Sequence, residues 1–401
     1  MVTETELLTL PFDKPDLLRT APGMRALQAL APICRVRTAT GDEAWLVTRY
    51  EQARALFGDP RLGRSHPKPA QAARISGSPL VGGAADNYDT EDADHNRMRA
   101  RLVPCFSARR MRAVQPRVAE LLDGLLSELA NRTSPVDLHA TLSFPLPVLV
   151  ICELLGVPYA DRDRFHTWST GMADATDGQR AKDSWAAMAG YLRELVVHKR
   201  AEPADDIITE LTGIEDGALS DDEIAGLATV VLFAGHETTV TRIDMGVLRL
   251  LTNPDQRAAL LADPELVPAA VEEILRIGVG GAGQAGLPRY ARADIEIDGV
   301  TIRTGDAVLL APSVANQDPA VFEDPDTFNI GRPQPIAHLT FGHGARYCIG
   351  ATLARIELNT VFGALFQRFP AMSLAVPVEQ LRWRSNVVTG GFAELPVTLT
   401  S

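Results

Sequence analysis

The sequence of 401 residues lacks the usual marks of secreted, metal-cluster and membrane proteins. Its four cysteines form no CxxC pair, so we expect neither a zinc site nor a disulfide framework and infer a reducing compartment. They are Cys34, Cys105, Cys152 and Cys348. Charges throughout the first twenty residues argue against a signal peptide or an N-terminal anchor, and the longest apolar run, at 224–235, is too short to span a bilayer. We therefore expect a soluble, cytoplasmic protein with no membrane segment.

Positive charge is also in short supply, because 39 Lys and Arg stand against 51 Asp and Glu and leave a net charge of −12. Such a chain is not expected to bind nucleic acid in general, so any basic docking surface must be local. The sequence has no low-complexity segment and no internal repeat, and its 46% hydrophobic residues are enough for a sizeable core. These bounds describe an ordinary globular protein.

The feature that stands out is a glycine-rich loop, Phe341–Gly350, which holds Cys348 directly before a helix predicted at 351–369. A thiolate there is favoured by the positive end of the helix dipole and by the free N–H groups of the first turn. The glycines let the backbone pass close to something flat and bulky, and Arg346 adds a cation two residues before the sulfur. The pattern predicts a haem-thiolate site, with a buried cysteine under a glycine loop as the alternative.

A second pattern lies in the middle of a long helix, which is predicted from a capping box at 220–223 to about Leu251. There an apolar run gives way to Ala-Gly-His-Glu-Thr-Thr at 234–239. Polar residues at the centre of a buried helix reduce stability unless they have a role. The small residues let a ligand approach the backbone, and Thr238 can bend the helix by bonding a preceding carbonyl. A helix that turns a polar face outward is the alternative, although polar residues on all sides argue against it.

Two further pairs have helical spacing. His95 and Arg99 are four residues apart in a predicted helix at 94–103, so both could reach one anionic group, although such a pair more often lies on a solvated face. Glu273 and Arg276 are three residues apart and could form an ion pair. By itself this last pair is weak, because surface helices contain it often.

The predicted strands are few and short. The segment 43–50 alternates as a strand, and Ile295–Ile302 reads as a hairpin with an Asp-Gly turn that is followed by a strand at 306–310. A second hairpin is predicted at 387–392, with a tip that could reach a pocket. The long segment 61–87 is either a binding loop or lid or a surface excursion.

Four of these patterns together resemble the motifs of the cytochrome P450 superfamily: the cysteine loop, the polar block at 234–239, the pair of His95 and Arg99, and the pair of Glu273 and Arg276. They occur in the family's order and at family-like spacing. The resemblance covers essentially the whole chain. It implies a mainly α fold with a minor β region, in which residues 1–401 form a single catalytic domain with a long central helix over the haem. It also implies haem b with Cys348 as the iron ligand, and a thiolate ligand favours cleavage of the O–O bond.

The resemblance assigns roles residue by residue. Glu237 and Thr238 match the oxygen-activation motif and are expected to relay protons to dioxygen bound at the iron. The expected propionate-binding residues are His95, Arg99, Arg289 and Arg346.

Arg346 stands where many bacterial members have His, and both side chains can bind a propionate. Ile277 stands where an aromatic is common, which bears only on packing. The pair of Glu273 and Arg276 is expected to contact the meander before the haem loop, with Arg332 as its partner. The glycine-rich stretch 278–286 borders the substrate in the family and suggests a roomy pocket, or else a flexible linker.

Six arginines lie between positions 97 and 112 of this acidic chain. The cluster near Arg109, Arg110 and Arg112 is a candidate dock for an acidic ferredoxin, and a solvated basic helix is the alternative. No flavin or iron–sulfur motif occurs in the chain. We therefore expect electrons to come from NAD(P)H through an external reductase and ferredoxin.

The sequence leaves three functions open. The first is a monooxygenase of secondary metabolism that hydroxylates or epoxidises a bulky, apolar, polyketide- or macrolide-like molecule. The second is a peroxide-driven fatty-acid peroxygenase, which the presence of Glu237 and Thr238 disfavours. The third is a haem protein that binds a ligand without turning it over.

Overall fold

The computed structural model describes residues 7–399 except 216, 279–285, 334–335, 385–386 and 388. The helices of this part are α1 Pro22–Leu30, α2 Tyr50–Phe57, α3 Glu91–Leu102, α4 Ala108–Ala130, α5 Pro145–Leu155, α6 Arg162–Ala173, α7 Gly178–Ala201, α8 Ile207–Thr212, α9 Asp221–Thr252, α10 Pro254–Ala262, α11 Val267–Ile277, α12 Pro312–Ala315 and α13 Ala351–Arg368. The strands are β1 Ile33–Arg37, β2 Glu43–Val47, β3 Leu62–Gly63, β4 Val136–Asp137, β5 Leu287–Ala291, β6 Ile295–Ile297, β7 Val300–Ile302, β8 Ala307–Leu310, β9 Ser373–Leu374 and β10 Pro396–Thr398. The predicted mainly α fold with a minor β region is confirmed.

The core of the helical body is α9, which packs against α5, α7, α11 and α13. It begins at the predicted capping box, where the Ser220 hydroxyl accepts the Glu223 N–H and the Glu223 carboxylate accepts the Ser220 N–H. It ends at Thr252, because Asn253 and Pro254 follow. At 1.5 Å per residue its 32 residues span roughly 48 Å, enough to cross the whole body.

Length and composition alone would allow α9 to cross a membrane, but 61% of its apolar window is buried inside the protein. This burial is that of a core helix. Gly246 shows how closely α9 is packed, because a Cβ there would collide with the Phe362 ring of α13. The small residue thus lets α13 lie directly against α9, and α13 is the helix that follows the cysteine loop.

The strands form a five-stranded sheet in the order β1-β2-β8-β5-β3, a three-stranded sheet β4-β10-β9 and the hairpin β6-β7. The hairpin predicted at 295–302 is confirmed, with Asp298 at a φ of 48° in its turn. The segment 61–87 packs on the large sheet, where the Tyr290 hydroxyl donates to the Ala73 carbonyl at 2.7 Å. This contact ties the segment to the body.

Two predicted features fall wholly or partly on residues that are not described. Most of the glycine-rich stretch 278–286 lies outside the described residues. So does part of the hairpin expected at 387–392, where Phe392 bridges Trp383 and Val387 bridges Asp174. The position of this segment beside α9 is nevertheless fixed by Thr389 and by Gly391, which lies against Thr241.

Candidate active site

The cysteine loop is held in place by its own backbone and by α2. The Cys348 N–H donates to the Phe341 carbonyl at 2.9 Å. Gly342 and Gly344 have φ values of 74° and 72°, in the region that favours glycine. A Cβ at Gly344 would also lie 3.0 Å from the Cα of Gly58, so this glycine lets the loop press against the end of α2.

The side chain of Cys348 is exposed, and it opens onto an internal cavity of about 460 Å³ between the loop and α9. Ala234, Gly235 and Thr238 of α9 line the same cavity. Much of the remaining wall is apolar: Phe57, Leu102, Phe106, Ile151, Val230, Val231, Leu275, Leu287, Phe341, Ile349, Leu353 and Leu358. The predicted iron ligand and the centre of the long helix therefore face one apolar chamber.

The protein around the cavity affects the acidity of the free Cys348 thiol. Although Cys348 is exposed to the cavity, desolvation by the surrounding protein raises its pKa, and this effect outweighs a backbone hydrogen bond from Gly350 and the charges of Arg99 and Arg355. A bound metal ion deprotonates a coordinating thiol, so iron would favour the thiolate.

Three of the four predicted propionate-binding residues line this cavity, namely Arg99, Arg289 and Arg346. The fourth, His95, lines an adjoining opening of about 530 Å³, which it shares with Arg346. Arg99 donates to the Tyr347 carbonyl at 2.8 Å, and Arg289 donates to the carbonyl of its neighbour Pro288 at 2.8 Å. The structure thus brings the three arginines to the chamber and His95 to the adjoining opening, which shares Arg346 with it.

The edge of the chamber near these residues carries an excess of positive charge. Burial, with help from Arg64 and Arg346, lowers the pKa of Arg289 to about 10. Burial, Arg346 and Arg99 lower the pKa of His95. Neighbouring cations that lower each other's pKa values are stabilised by an anion, so the edge is suited to bind carboxylates.

Glu91 is a residue that the sequence did not single out. It is 4% exposed, and its carboxylate accepts the backbone N–H groups of Arg64 and Ser65 at 2.7 and 3.0 Å and a bond from Arg346 at 2.6 Å. Despite its burial, these partners lower its pKa. Glu91 therefore positions Arg346, although it is the first residue of α3 and looks in sequence like an ordinary helix-start acid.

The two residues of the expected proton relay point in different directions. The Thr238 hydroxyl donates to the Ala234 carbonyl at 2.8 Å, as predicted, and its side chain lines the chamber. Glu237 is fully buried on another face of α9, where its Oε2 accepts the Thr389 hydroxyl at 3.2 Å and lies 3.8 Å from Arg384. Burial raises the pKa of Glu237 in spite of Arg384. A proton from Glu237 must therefore travel around the helix to reach the chamber.

The Glu273 pair lies in the protein interior. Arg276 donates to both carboxylate oxygens of Glu273 at 2.7 Å, and Arg332 lies 3.2 Å from Glu273. Arg276 also donates to the Asn316 carbonyl at 2.9 Å. The predicted contact of Arg332 with this pair is confirmed.

The arginine cluster is only partly available to a partner. Arg109 and Arg112 are exposed at the start of α4. Arg110 is half-buried and pairs with Glu210 and, at 3.5 Å, with Asp205. Two of the three predicted docking arginines thus face solvent.

The site fits the class of haem-thiolate enzymes. The Cys348 thiol would supply the iron ligand, the apolar walls suit the porphyrin, and the cationic edge suits its two propionates.

Comparison with known proteins gives the family. A family model described as Cytochrome P450 matches residues 165–375. The chain is 53% identical over 398 residues to "Pentalenolactone synthase" of Streptomyces exfoliatus, with 98% of this chain and 99% of the relative covered. It is 40% identical over 403 residues to "Mycinamicin IV hydroxylase/epoxidase" of Micromonospora griseorubida, with 99% and 100% covered.

Solved structures agree. The substrate-free structure of a polyene macrolide antibiotic pimaricin epoxidase matches with a TM-score of 0.88 at 43% identity, covering 98% of this chain and 100% of that chain. This protein belongs to the cytochrome P450 family. The family implies haem iron as the cofactor.

Proposed function

We propose that this protein is a haem-thiolate monooxygenase that inserts one atom of dioxygen into a bulky, apolar secondary metabolite of polyketide or macrolide type, by hydroxylation or epoxidation. The observation that carries the proposal is that Cys348 and Thr238 line the same largely apolar chamber. The named activities of the relatives, among them a mycinamicin hydroxylase/epoxidase and a pimaricin epoxidase, support the substrate class.

Haem b, when bound, supplies the iron chemistry that activates dioxygen. Cys348 would be its thiolate ligand, and His95, Arg99, Arg289 and Arg346 would hold its propionates. The apolar walls exclude water from the reacting atoms and favour an apolar substrate.

Thr238 and Glu237 have different roles in proton transfer. The Thr238 hydroxyl is a proton-bearing group of the chamber wall on α9, and it donates to the Ala234 carbonyl. Glu237 stores a proton behind α9, because burial raises its pKa. Its release to the chamber requires a turn of the side chain or a bridging water, since Glu237 is not part of the chamber wall.

Residues 1–401 form one catalytic unit that works in the cytoplasm with external electron donors. Electrons come from NAD(P)H through a ferredoxin reductase and a ferredoxin. The exposed Arg109 and Arg112 are the candidate docking residues, and their charge suits an acidic ferredoxin.

The test uses the purified holoenzyme with NADPH, a ferredoxin, its reductase and a panel of macrolides and polyketide lactones under ¹⁸O₂. One ¹⁸O atom in the product is the expected result. Turnover with hydrogen peroxide alone, at the full rate and on fatty acids, would favour a peroxygenase instead. A normal haem spectrum without oxygen consumption on any compound would indicate a ligand-binding protein.

A further inference from the structure

A group of ionisable residues lies behind Glu237, on the side of α9 that faces away from the chamber. We call it the rear cluster: His139, Glu237, Asp244, Arg384 and Thr389. Glu237 and Asp244 are seven residues apart, which puts both on one face of α9. The other members come from the π-helical turn His139–Ser143 and from the C-terminal segment.

The outer half of the rear cluster is an imidazole–carboxylate pair. His139 Nδ1 lies 2.7 Å from Asp244 Oδ2, and the two residues are 7% and 0% exposed. The charged and titratable groups that interact with His139 include Asp244, His236 and Glu237 on α9, Asp137 on β4, His166 on α6, and Arg384 on the C-terminal segment. Burial and Arg384 disfavour a charged ring, but Asp244 and Asp137 outweigh them and raise the pKa of His139. His139 therefore holds a proton more firmly than an ordinary histidine.

The inner half of the rear cluster has more polar atoms than protein partners. Among the described residues no hydrogen-bond partner is found for Glu237 Oε1, Asp244 Oδ1, or Nε and Nη2 of Arg384, although all four atoms are buried. Arg384 Nη2 lies 3.8 Å from Glu237 Oε2, beyond hydrogen-bond distance. Buried polar groups in folded proteins are almost always bonded, and those without a protein partner are bonded by internal water. These four atoms on three side chains are places where internal water can bond.

The rear cluster also has one end near solvent and one end next to the reaction chamber. At the outer end, the His139 side chain is 9% exposed, and its backbone N–H donates at 3.0 Å to the half-buried residue Asp137. At the inner end, Glu237 is the residue directly before Thr238, which lines the chamber. The cluster thus connects the surface with the acid that the reaction needs.

We propose that His139 and Asp244 supply protons to Glu237. After Glu237 has released its proton, His139 gives its Nδ1 proton to Asp244 Oδ2, the Asp244 carboxyl group turns, water carries this proton to the Glu237 carboxylate at Oε1, and His139 takes its next proton from solvent. Arg384 keeps Glu237 turned toward this water until the proton is passed on. Both residues act through Glu237, so they are positioning residues, and the inference rests on the proposed monooxygenase function.

The first test needs no turnover. The carboxylic acid band of Glu237 is identified by infrared spectroscopy as the band that Glu237→Gln removes, at a pH where it is present. After mixing with D₂O, we expect the band to shift about tenfold more slowly in Asp244→Asn and His139→Gln than in the native holoenzyme. His166→Gln is the matched control, because His166 is an exposed histidine whose ring makes an edge contact with Phe144 at 4.1 Å, as the His139 ring does at 6.0 Å, but it has no contact with Asp244 among the described bonds. Unchanged exchange in the two test variants, or equal slowing in the control, would refute the route.

The second test follows electrons. In Asp244→Asn and His139→Gln we expect product per NADPH to fall several-fold, hydrogen peroxide to rise by the same number of electrons, and the solvent isotope effect on product formation to increase. Loss of Asp244 lowers the pKa of His139, so the alkaline fall in coupling should move to lower pH in Asp244→Asn.

Native coupling with an unchanged pH profile in both variants would contradict the inference. The two tests also separate failures: a native enzyme that oxidises no substrate refutes the proposed function, whereas unchanged D₂O exchange refutes only the proton route. Haem content and thermal melting identify any variant that fails to fold, and the homologous Asp244→Glu, which keeps the carboxylate, should restore exchange.

Discussion

Two buried glutamates, Glu273 and Glu237, both lie beside an arginine but differ in how many bonding partners their carboxylates have. Glu273 accepts bonds from Arg276 at 2.7 Å on both oxygens, lies 3.2 Å from Arg332, and also accepts the Asn329 N–H at 3.1 Å. Glu237 has one hydroxyl partner at 3.2 Å, an arginine at 3.8 Å and one oxygen with no partner among the described residues. Both acids are 0% exposed.

This difference in bonding partners suggests a structural role for one acid and a chemical role for the other. A buried charge with every lone pair bonded holds the segments around it in one arrangement. A buried acid with too few partners is less stable as an anion, which suits a group that must take up and release protons. We therefore assign Glu273 to the support of the cysteine loop and Glu237 to chemistry.

The largest expected effect is that of Glu273→Ala, which leaves Arg276 buried without its counter-ion. Such losses destabilise by about 3–5 kcal/mol. Urea unfolding of the native and variant holoenzymes measures this loss in the free energy of unfolding. The control is Glu394→Ala, which breaks an exposed pair with Arg382 and should cost about 1 kcal/mol or less. Equal losses of unfolding free energy in the two variants would contradict the structural role assigned to Glu273.

Glu237→Gln is expected to show the reverse behaviour. Because the native acid is poorly partnered, a neutral amide of the same size should change the free energy of unfolding by no more than about 1 kcal/mol. Product formation should fall by roughly 10²-fold, the lower range for the loss of a positioned acid. If Glu237→Gln destabilises the protein as much as Glu273→Ala, the contrast between the two acids is wrong.

Thr238→Ala should have a smaller and more selective effect. The chamber loses one hydroxyl while Cys348 and the arginine edge stay intact, so haem content and the thiolate spectrum should be native. Electrons from NADPH should instead appear as hydrogen peroxide, with product reduced by about tenfold. Product formation coupled as well as in the native enzyme would contradict the proton-relay assignment.

The smallest expected effect is on the pH dependence of stability. Burial raises the pKa of Glu237, so the folded state binds this proton more tightly than the unfolded state. That contribution to stability is present below the ordinary glutamate pKa of about 4.3 and is lost as pH rises through the higher folded value. Unfolding curves across this range should therefore decline more in the native protein than in Glu237→Gln. Parallel curves would mean that Glu237 titrates normally.

Local patterns in the sequence predicted much of this molecule. The capping box fixed the start of α9 and Asn253-Pro254 its end, because helix ends depend on neighbouring residues. The motif residues His95, Arg99, Arg289 and Arg346 were assigned to the propionates by resemblance, and the structure brings the three arginines to the chamber and His95 to the adjoining opening.

What the sequence could not predict depends on contacts between distant segments. Glu91 bonds Arg346 across 255 positions, and His139 meets Asp244 across 105. Glu237 points away from the chamber and accepts a hydrogen bond from Thr389, 152 positions away. The helix terminus beside Cys348 is visible in sequence, whereas the burial that raises the pKa of its free thiol is a property of the folded chain.

The central claim is that Cys348 ligates haem iron as a thiolate, and the absorption spectrum of the reduced protein under carbon monoxide tests it most directly. We expect a strongly red-shifted Soret band, which Cys348→Ala abolishes. A Soret band at the position typical of histidine ligation, or a purified protein that takes up no haem, would contradict the account.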